Sequence, residues 1–240
     1  MKVLVLGNGV LGEEIVKQTG WDIISRKING FDITNKDTYY LMTEIFHGVA
    51  QSMPYDVIIN CIANTDTYSN NKTLHWDVNY KGVSNLVEFC NNWKVKLVHI
   101  STEFVYANNK KTPTEEDLPI PCSNWYSYTK LLADECIKLN SLNYLICRGT
   151  HKPNPFPYNE VWDPIKTSGD TVDKIADLII KLVKNNADGV YNVGTGDKLL
   201  SDLAPNSKKI SPPNVNIPKD TRMNINKLNK FLKLSYGDKK

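Results

Sequence analysis

The sequence predicts an α/β fold built on a doubly wound parallel sheet, and three observations lead there. An apolar run, Val3 to Leu6, opens the chain and stops at a glycine-rich turn. Five more short apolar runs bounded by polar residues follow, the mark of strands buried on both faces. Between consecutive runs lie stretches with apolar residues at helical spacing. Strand alternating with helix puts the strands in one sheet with helices on both sides, a Rossmann-type arrangement.

Taken in order, Lys2 to Leu6 is the first strand and Val10 to Thr19 the first helix, with Val10, Leu11, Ile15 and Val16 at helical spacing. Asp22 to Ile24 is a short second strand, and a helix is expected over Lys36 to Phe46. Strands at Val57 to Asn60, Lys96 to Ser101, Tyr144 to Arg148 and Val190 to Val193 are separated by helices at Leu74 to Asn91, Tyr126 to Asn140 and Thr171 to Asn185. The last helix carries Val172, Ile175, Ile179, Leu182 and Val183 on one face. Two proline-rich stretches, 149–170 and 201–221, break the alternation and read as irregular insertions. The expected division is a nucleotide-binding body over residues 1–148 and a small substrate lobe over 149–240. That lobe is interleaved with the body's last helix and strand, 171–193, and includes a final helix near Asn226 to Leu232.

At 240 residues, with 41% apolar and 23% charged side chains, the chain can bury a large core without disulfides or metals. The five cysteines are scattered without a C-x-x-C pair and the four histidines lack an H-E-x-x-H pattern, so neither a structural zinc nor a disulfide framework is expected. The apolar stretch in MKVLVLG is too short for a signal peptide or a membrane span, so a cytoplasmic protein with no membrane partner is expected. Net charge is +3, but residues 206–240 hold nine basic groups against two acidic ones, leaving 20 against 24 in the remainder. That tail lacks aromatics at recognition spacing and any nucleic-acid motif. A basic lobe facing a small phosphorylated ligand is the expectation, and a homodimer stays open.

Gly7-Asn8-Gly9-Val10-Leu11-Gly12 is a G-x-G-x-x-G sequence set between a strand and a helix. The first glycine permits the turn, the second lets backbone approach a pyrophosphate, and the third lets the helix pack closely. At the end of the second strand stand Ser25, Arg26 and Lys27, where an NAD enzyme would carry an acid for the ribose 2′-hydroxyl. Cationic and hydroxyl groups suit a 2′-phosphate, so NADP(H) is expected ahead of NAD(H). Asp32 lies twenty residues after Gly12, at the ribose-acid separation, but the turn at Asn29 and Gly30 assigns it to a following segment on the adenine side.

Tyr126 and Lys130 share a helix face at i and i+4, where an ammonium can lower a phenol's pKa and the phenol can exchange a proton with a carbonyl oxygen. Tyr68 with Lys72, Tyr106 with Lys110 and Tyr236 with Lys240 share the spacing, but only Tyr126 opens an amphipathic helix. Thr102, at the carboxyl end of a buried strand, is the third candidate, since ligands bind at such ends. Packing of Tyr126 as a core aromatic, and of Thr102 as a cap, is the competing reading.

Together with Phe31-Asp32-Ile33-Thr34, Asp56 through Ala63, Val78-Asn79 with Gly82, His99 through Tyr106, Glu115-Glu116-Asp117, Arg148 and Val190 through Gly194, these residues resemble the extended short-chain dehydrogenase/reductase superfamily. The resemblance is closer to its dTDP-4-dehydrorhamnose reductase branch. It implies a cofactor site that adds Asp32, Ile33, Cys61, Ile62 and Ala63 to the glycine loop. It implies substrate contacts at Asn64, Thr65, Thr102, Glu103, Phe104 and Tyr126, with His151, Trp162 and Arg222 from the lobe, Arg222 anchoring a diphosphate. The implied activity is NADPH-dependent reduction of the 4-keto group of a nucleotide-diphosphate 4-keto-6-deoxy sugar in deoxysugar biosynthesis.

Departures narrow this expectation. The branch's loop is usually one residue longer, and Gly149-Thr150-His151-Lys152-Pro153 replaces its usual T-S-x-x-[YF]-G. Dehydratases resemble Thr-Asp-Glu where this chain has Thr102-Glu103-Phe104, and reductases that also epimerise carry a cysteine at the position of Phe104. Phenylalanine moves no proton, so reduction without epimerisation is expected. A different class stays open: the regulatory β subunit of methionine adenosyltransferase resembles the same branch and acts as a non-catalytic NADP-binding partner.

Overall fold

The computed structural model describes residues 1–46, 49–109, 112–213 and 217–236. They form two compact units, one of Met1–Ile100 with Asn124–Ile146, the other of Ser101–Ser123 with Cys147–Lys240. The expected division at residue 148 therefore differs in two respects: segment 101–123 goes with the second unit, and so does 171–193, expected as the body's last helix and strand. Asn192 shows why, because its backbone N–H donates to Glu115 and its side-chain amide to the Pro113 carbonyl.

In the first unit, β1 (Val3–Leu6) leads through the glycine turn into α1 (Val10–Thr19), β2 (Asp22–Ile24) and a four-residue α2 (Arg26–Asn29). A hairpin of β3 (Glu44–Phe46) and β4 (Val49–Ser52) precedes β5 (Val57–Asn60). Then come α3 (Lys72–His75), α4 (Gly82–Trp93), β6 (Lys96–Ile100), α5 (Trp125–Asn140) and β7 (Tyr144–Gly149). The sheet runs β7-β6-β5-β1-β2, with β1 parallel to both β2 and β5 and β5 parallel to β6. Every residue of β1 and β5 is buried, as expected of parallel strands covered on both faces.

Two expectations for this unit change. Lys36 to Phe46 is not one helix: a 3-10 turn spans Lys36–Met42, Thr43 is extended, and Glu44 begins the antiparallel hairpin. The stretch from Leu74 to Asn91 is helical but irregular, since a π-helical segment, Trp76–Lys81, joins α3 to α4. Gly82 begins α4 where a Cβ would lie 2.9 Å from the Ile33 side chain, so this position must be small.

Strand β7 changes unit at its middle, and its last residues lie beside β12 (Gly189–Val193) of the second unit. The insertions there are not irregular. Residues 149–170 hold β8 (His151–Lys152), β9 (Glu160–Trp162), β10 (Lys166–Thr167) and the start of β11 (Asp170–Thr171). After α6 (Val172–Lys184) and β12 come β13 (Lys198–Leu199), β14 (Lys208–Ile210), β15 (Asp220–Thr221) and α7 (Asn226–Tyr236), the last longer than expected. Short ladders β8·β11, β9·β14 and β13·β10·β15 tie the two proline-rich stretches to each other and to α6.

All five apolar residues assigned to one face of α6 are buried. Ile179→Ala should lower the unfolding free energy by about 2–5 kcal/mol, whereas Leu139→Ala, at an 81% exposed position, should change it by less than about 0.5 kcal/mol. Denaturant titration of both variants checks the pair; equal losses would mean that the buried face of α6 is wrongly assigned.

Candidate active site

Gly7 takes φ +96°, and a Cβ there would lie 2.9 Å from the side chain of Ile62, so the loop after β5 closes directly on this turn. At Gly12 a Cβ would meet the Gly7 carbonyl at 2.0 Å, which excludes every larger residue. Gly9 differs: nothing lies within 4 Å of a Cβ placed there. As the N-cap of α1, Gly9 offers no side chain to the first-turn N–H groups. Those donors and the helix dipole suit an anion, so the loop fits the pyrophosphate of a dinucleotide. Asn8 is half-buried, Val10 exposed and Leu11 buried in the body.

The second strand ends differently from the expectation. Ser25 is buried and caps α2, its hydroxyl accepting from the Ile28 N–H. Arg26 and Lys27 are exposed residues of that helix. Arg26 Nη2 donates to Asp32 Oδ2 at 2.6 Å, while Asp32 Oδ1 accepts from the Thr34 N–H and hydroxyl. Burial pushes the Asp32 carboxyl up, but the Thr34 hydrogen bonds and Arg26 outweigh it and leave the pKa below the usual value. Ile33 is packed against Gly82 and is 2% exposed, so it belongs to the core. Cys61, Ile62 and Ala63 are half-buried in the loop that meets Gly7.

Helix α5 begins at Asn124, whose side chain caps Ser127, so Tyr126 sits in the first turn and Lys130 one turn on. Lys130 is 1% exposed, and its Nζ donates to the Ile100 carbonyl at 2.6 Å, at the carboxyl end of β6. The same nitrogen lies 3.0 Å from His99 Nε2. Burial lowers the Lys130 pKa to about 8. Tyr126 is half-buried, with the ring of His75 edge-on at 6.4 Å, whereas Tyr128 is 45% exposed. Of the other matches to this spacing, Lys110 and Lys240 lie outside the described residues.

Asn64 braces this region. Its N–H donates to Asn79 Oδ1 at 2.7 Å, and its side-chain amide lies 3.1 Å from His75 Nδ1. Asn79 in turn donates to Thr129 of α5. Asn64 is half-buried, and Thr65 beside it is exposed.

The remaining candidates belong to the second unit. Thr102 is 4% exposed and caps a 3-10 turn, accepting from the Phe104 N–H and donating to Glu103 Oε2 at 3.2 Å. Its capping role is the structural alternative weighed above. Glu103 is buried, which raises its carboxyl pKa despite Lys152 nearby. His151 is half-buried in β8, its pKa pushed down to about 4 by burial and then by Lys152. Trp162 lines a groove of about 740 Å³ with Phe156, Tyr158, Ile210 and Lys152. Arg222 requires a correction. Its Nε and Nη2 grip Asp220 and its Nη1 reaches Asp197 Oδ2 at 3.0 Å. A guanidinium with three nitrogens already on carboxylates is a poor diphosphate anchor.

A family model described as the RmlD substrate binding domain matches residues 1–151. The chain belongs to this family. It is an RmlD-like member of the extended short-chain dehydrogenase/reductase type, in a family of oxidoreductases. It is 26% identical over 184 residues to the dTDP-4-dehydrorhamnose reductase of Mycolicibacterium smegmatis, covering 74% of this chain and 50% of that one. It is also 26% identical over 182 residues to methionine adenosyltransferase 2 subunit beta of Rattus norvegicus, covering 72% and 52%. The chain spans about half the length of the curated relatives it matches. Among solved structures, the Bacillus anthracis dTDP-4-dehydrorhamnose reductase in complex with NADP superposes with a TM-score of 0.77 at 22% identity, over 96% of this chain and 92% of that one. The Thermus thermophilus UDP-glucose 4-epimerase complexed with NAD gives 0.76 at 16% identity, over 96% and 93%. Both show the Rossmann-like fold.

In this RmlD-like chain, the residues that sequence reasoning passed over are His75 and His99. Each is fully buried beside a candidate residue, and nothing local marks either. The Arg26–Asp32 pair generates a prediction. An exposed ion pair is weak, so Arg26 can leave Asp32 for a 2′-phosphate. Asp32→Asn should therefore raise affinity for NADPH relative to NADH, and Arg26→Ala should lower it, with fluorescence titration of both nucleotides as the measurement. If neither substitution changes the ratio, this corner does not contact the ribose.

Proposed function

We propose that the chain is an NADPH-dependent reductase of the 4-keto group of a nucleotide-diphosphate 4-keto-6-deoxy sugar, acting without epimerisation. The observation that carries this reading is a desolvated Lys130 bonded to the Ile100 carbonyl at the carboxyl end of β6, on the helix whose first turn bears Tyr126, in a unit whose glycine loop fits a pyrophosphate. Ligands of open α/β sheets bind at strand carboxyl ends. The named activity of the Mycolicibacterium smegmatis relative, and the NADP in the Bacillus anthracis structure, support the same class.

The nicotinamide cofactor, when bound, supplies a hydride. Gly7 through Gly12 hold its pyrophosphate, and Arg26, once released from Asp32, favours the phosphorylated ribose. Tyr126 donates its phenolic proton to the carbonyl oxygen as charge develops there. In the second unit, the Thr102 hydroxyl is engaged with Glu103 Oε2. The aromatic walls of that unit's groove, Phe156, Tyr158 and Trp162, suit a flat base or sugar face, with Lys152 as the cationic group.

The match to methionine adenosyltransferase 2 subunit beta at the same 26% identity favours one second reading, an NADP-binding partner without turnover. NADPH oxidation against a panel of dTDP-, UDP-, GDP- and CDP-linked 4-keto-6-deoxyhexoses separates the two. Tyr126→Phe should cut turnover by roughly 10²- to 10⁴-fold with cofactor affinity kept, while Tyr128→Phe should change little. Product formed in deuterated water should carry no deuterium at C3 or C5; label there would reject simple reduction, and cofactor binding without oxidation would reject the enzyme.

A further inference from the structure

Three buried side chains and the backbone amide of half-buried Ile62 form a continuous chain in the first unit from helix α5 to the glycine loop. Lys130 Nζ lies 3.0 Å from His99 Nε2, His99 Nδ1 lies 3.2 Å from Asn60 Nδ2, and Asn60 Oδ1 accepts from the Ile62 N–H at 3.0 Å. Ile62 is the residue packed on Gly7. Asn60 and His99 are fully buried, and Lys130 nearly so.

Donor and acceptor rules fix the protons along this chain. A backbone N–H can only donate, so the group of Asn60 facing Ile62 is its oxygen, and the amide nitrogen must face His99. That nitrogen donates, which makes Nδ1 of His99 the acceptor. A neutral imidazole then carries its proton on Nε2. Nε2–H faces Lys130, and an ammonium has no lone pair to receive it. The network as it stands therefore fits a neutral Lys130 amine that accepts from His99 and donates to Ile100.

We propose that His99 and Asn60 are positioning residues that couple the charge of Lys130 to the backbone amide of Ile62 beside the glycine loop. Gaining a proton at Lys130 forces His99 to receive a hydrogen bond at Nε2 and to move its own proton to Nδ1. Asn60 must then turn its oxygen toward His99, and Ile62 loses its acceptor. Each change is a single proton or a single amide rotation, so the two states interconvert without moving the backbone of β5 or β6. The titratable groups that face Lys130 are His99 from β6, Cys61 from the loop after β5, and Asp134 from its own helix; Asp134 favours the ammonium and burial opposes it. Burial and Lys130 together hold His99 neutral.

Nitrogen NMR of the full-length, ¹⁵N-labelled protein reads this network without any substrate, so the result is independent of whether the chain reduces a sugar. At about pH 10 the His99 ring should be the Nε2–H tautomer. On lowering the pH to about 6.5 it should shift toward Nδ1–H, and the Ile62 amide should move with the same midpoint, near the Lys130 pKa of about 8. Lys130→Met should keep the Nε2–H tautomer and a flat Ile62 signal throughout. Asn60→Asp should hold His99 in the Nδ1–H form at every pH, because a carboxylate accepts from both His99 and Ile62. An Nδ1–H tautomer in the unaltered protein at about pH 10, or an Ile62 titration unchanged by Lys130→Met, would overturn the proposal. If either variant fails to fold, the titration of the unaltered chain decides alone.

Discussion

A lysine taken out of water at the carboxyl end of a central parallel strand is the constraint on which the first unit depends. Lys130 reaches the Ile100 carbonyl from α5, and that single bond pins the helix bearing Tyr126 to the strand end where ligands of such sheets bind. Burying an ionised group costs several kcal/mol unless it is paired, so burial lowers the Lys130 pKa and its nitrogen needs hydrogen-bonding partners. His99 meets that need from β6 and is backed in turn by Asn60 of β5. The same arrangement draws Ile62 and the glycine loop into one network. Among the described residues no helix is long and apolar enough to cross a membrane, and the apolar surface of the chain goes into its sheet and helices.

The second unit is built on a different principle. Its strands are two or three residues long apart from β12 and the end of β7, so ladders alone cannot hold it. Polar contacts to buried groups take over: buried Asp170 with the more exposed Thr195, Lys174 and Lys198, Arg148 with Tyr106, and Ser168 with the backbone of Met223. Burial raises the Asp170 pKa, but these hydrogen bonds hold it far below the usual carboxylate range. Glycines 169 and 194 allow the backbone crossings, since a Cβ at Gly194 would lie 2.2 Å from the Ser168 carbonyl. What these contacts leave open is the aromatic groove around Trp162.

Much of the sheet was legible because parallel strands buried on both faces must be apolar throughout, and helix faces repeat with fixed spacing. The hairpin β3·β4 was not, because Tyr39, Met42, Ile45 and Phe46 mimic a helical spacing; only the extended Thr43 and antiparallel pairing distinguish the outcome. The small strands of the second unit escaped for a related reason: two-residue ladders leave no periodicity. In the site, the glycine loop and the Tyr126–Lys130 spacing were visible since both are local. Arg222 read as a phosphate anchor because its ion pairs, with Asp220 two residues before it and with Asp197 25 residues away, form only in the folded chain. His99 and His75 were silent for the same reason, their partners Lys130, Asn64 and Asn79 being set by tertiary packing. Thr102 had two roles available, and the folded chain uses its hydroxyl as a cap.

The central claim, that burial depresses the Lys130 pKa, is tested most directly by equilibrium unfolding of the protein and its Lys130→Met variant across about pH 7 to 11. The folded-state pKa of about 8 lies below the ordinary lysine value of about 10.4, so between these two values the unfolded chain binds more protons than the folded one. Stability of the unaltered protein should therefore rise relative to the variant as pH increases through that window, by up to about 1.4 kcal/mol per pH unit, and level off above it. Parallel curves for the two proteins, or a relative loss of stability with rising pH, would contradict it.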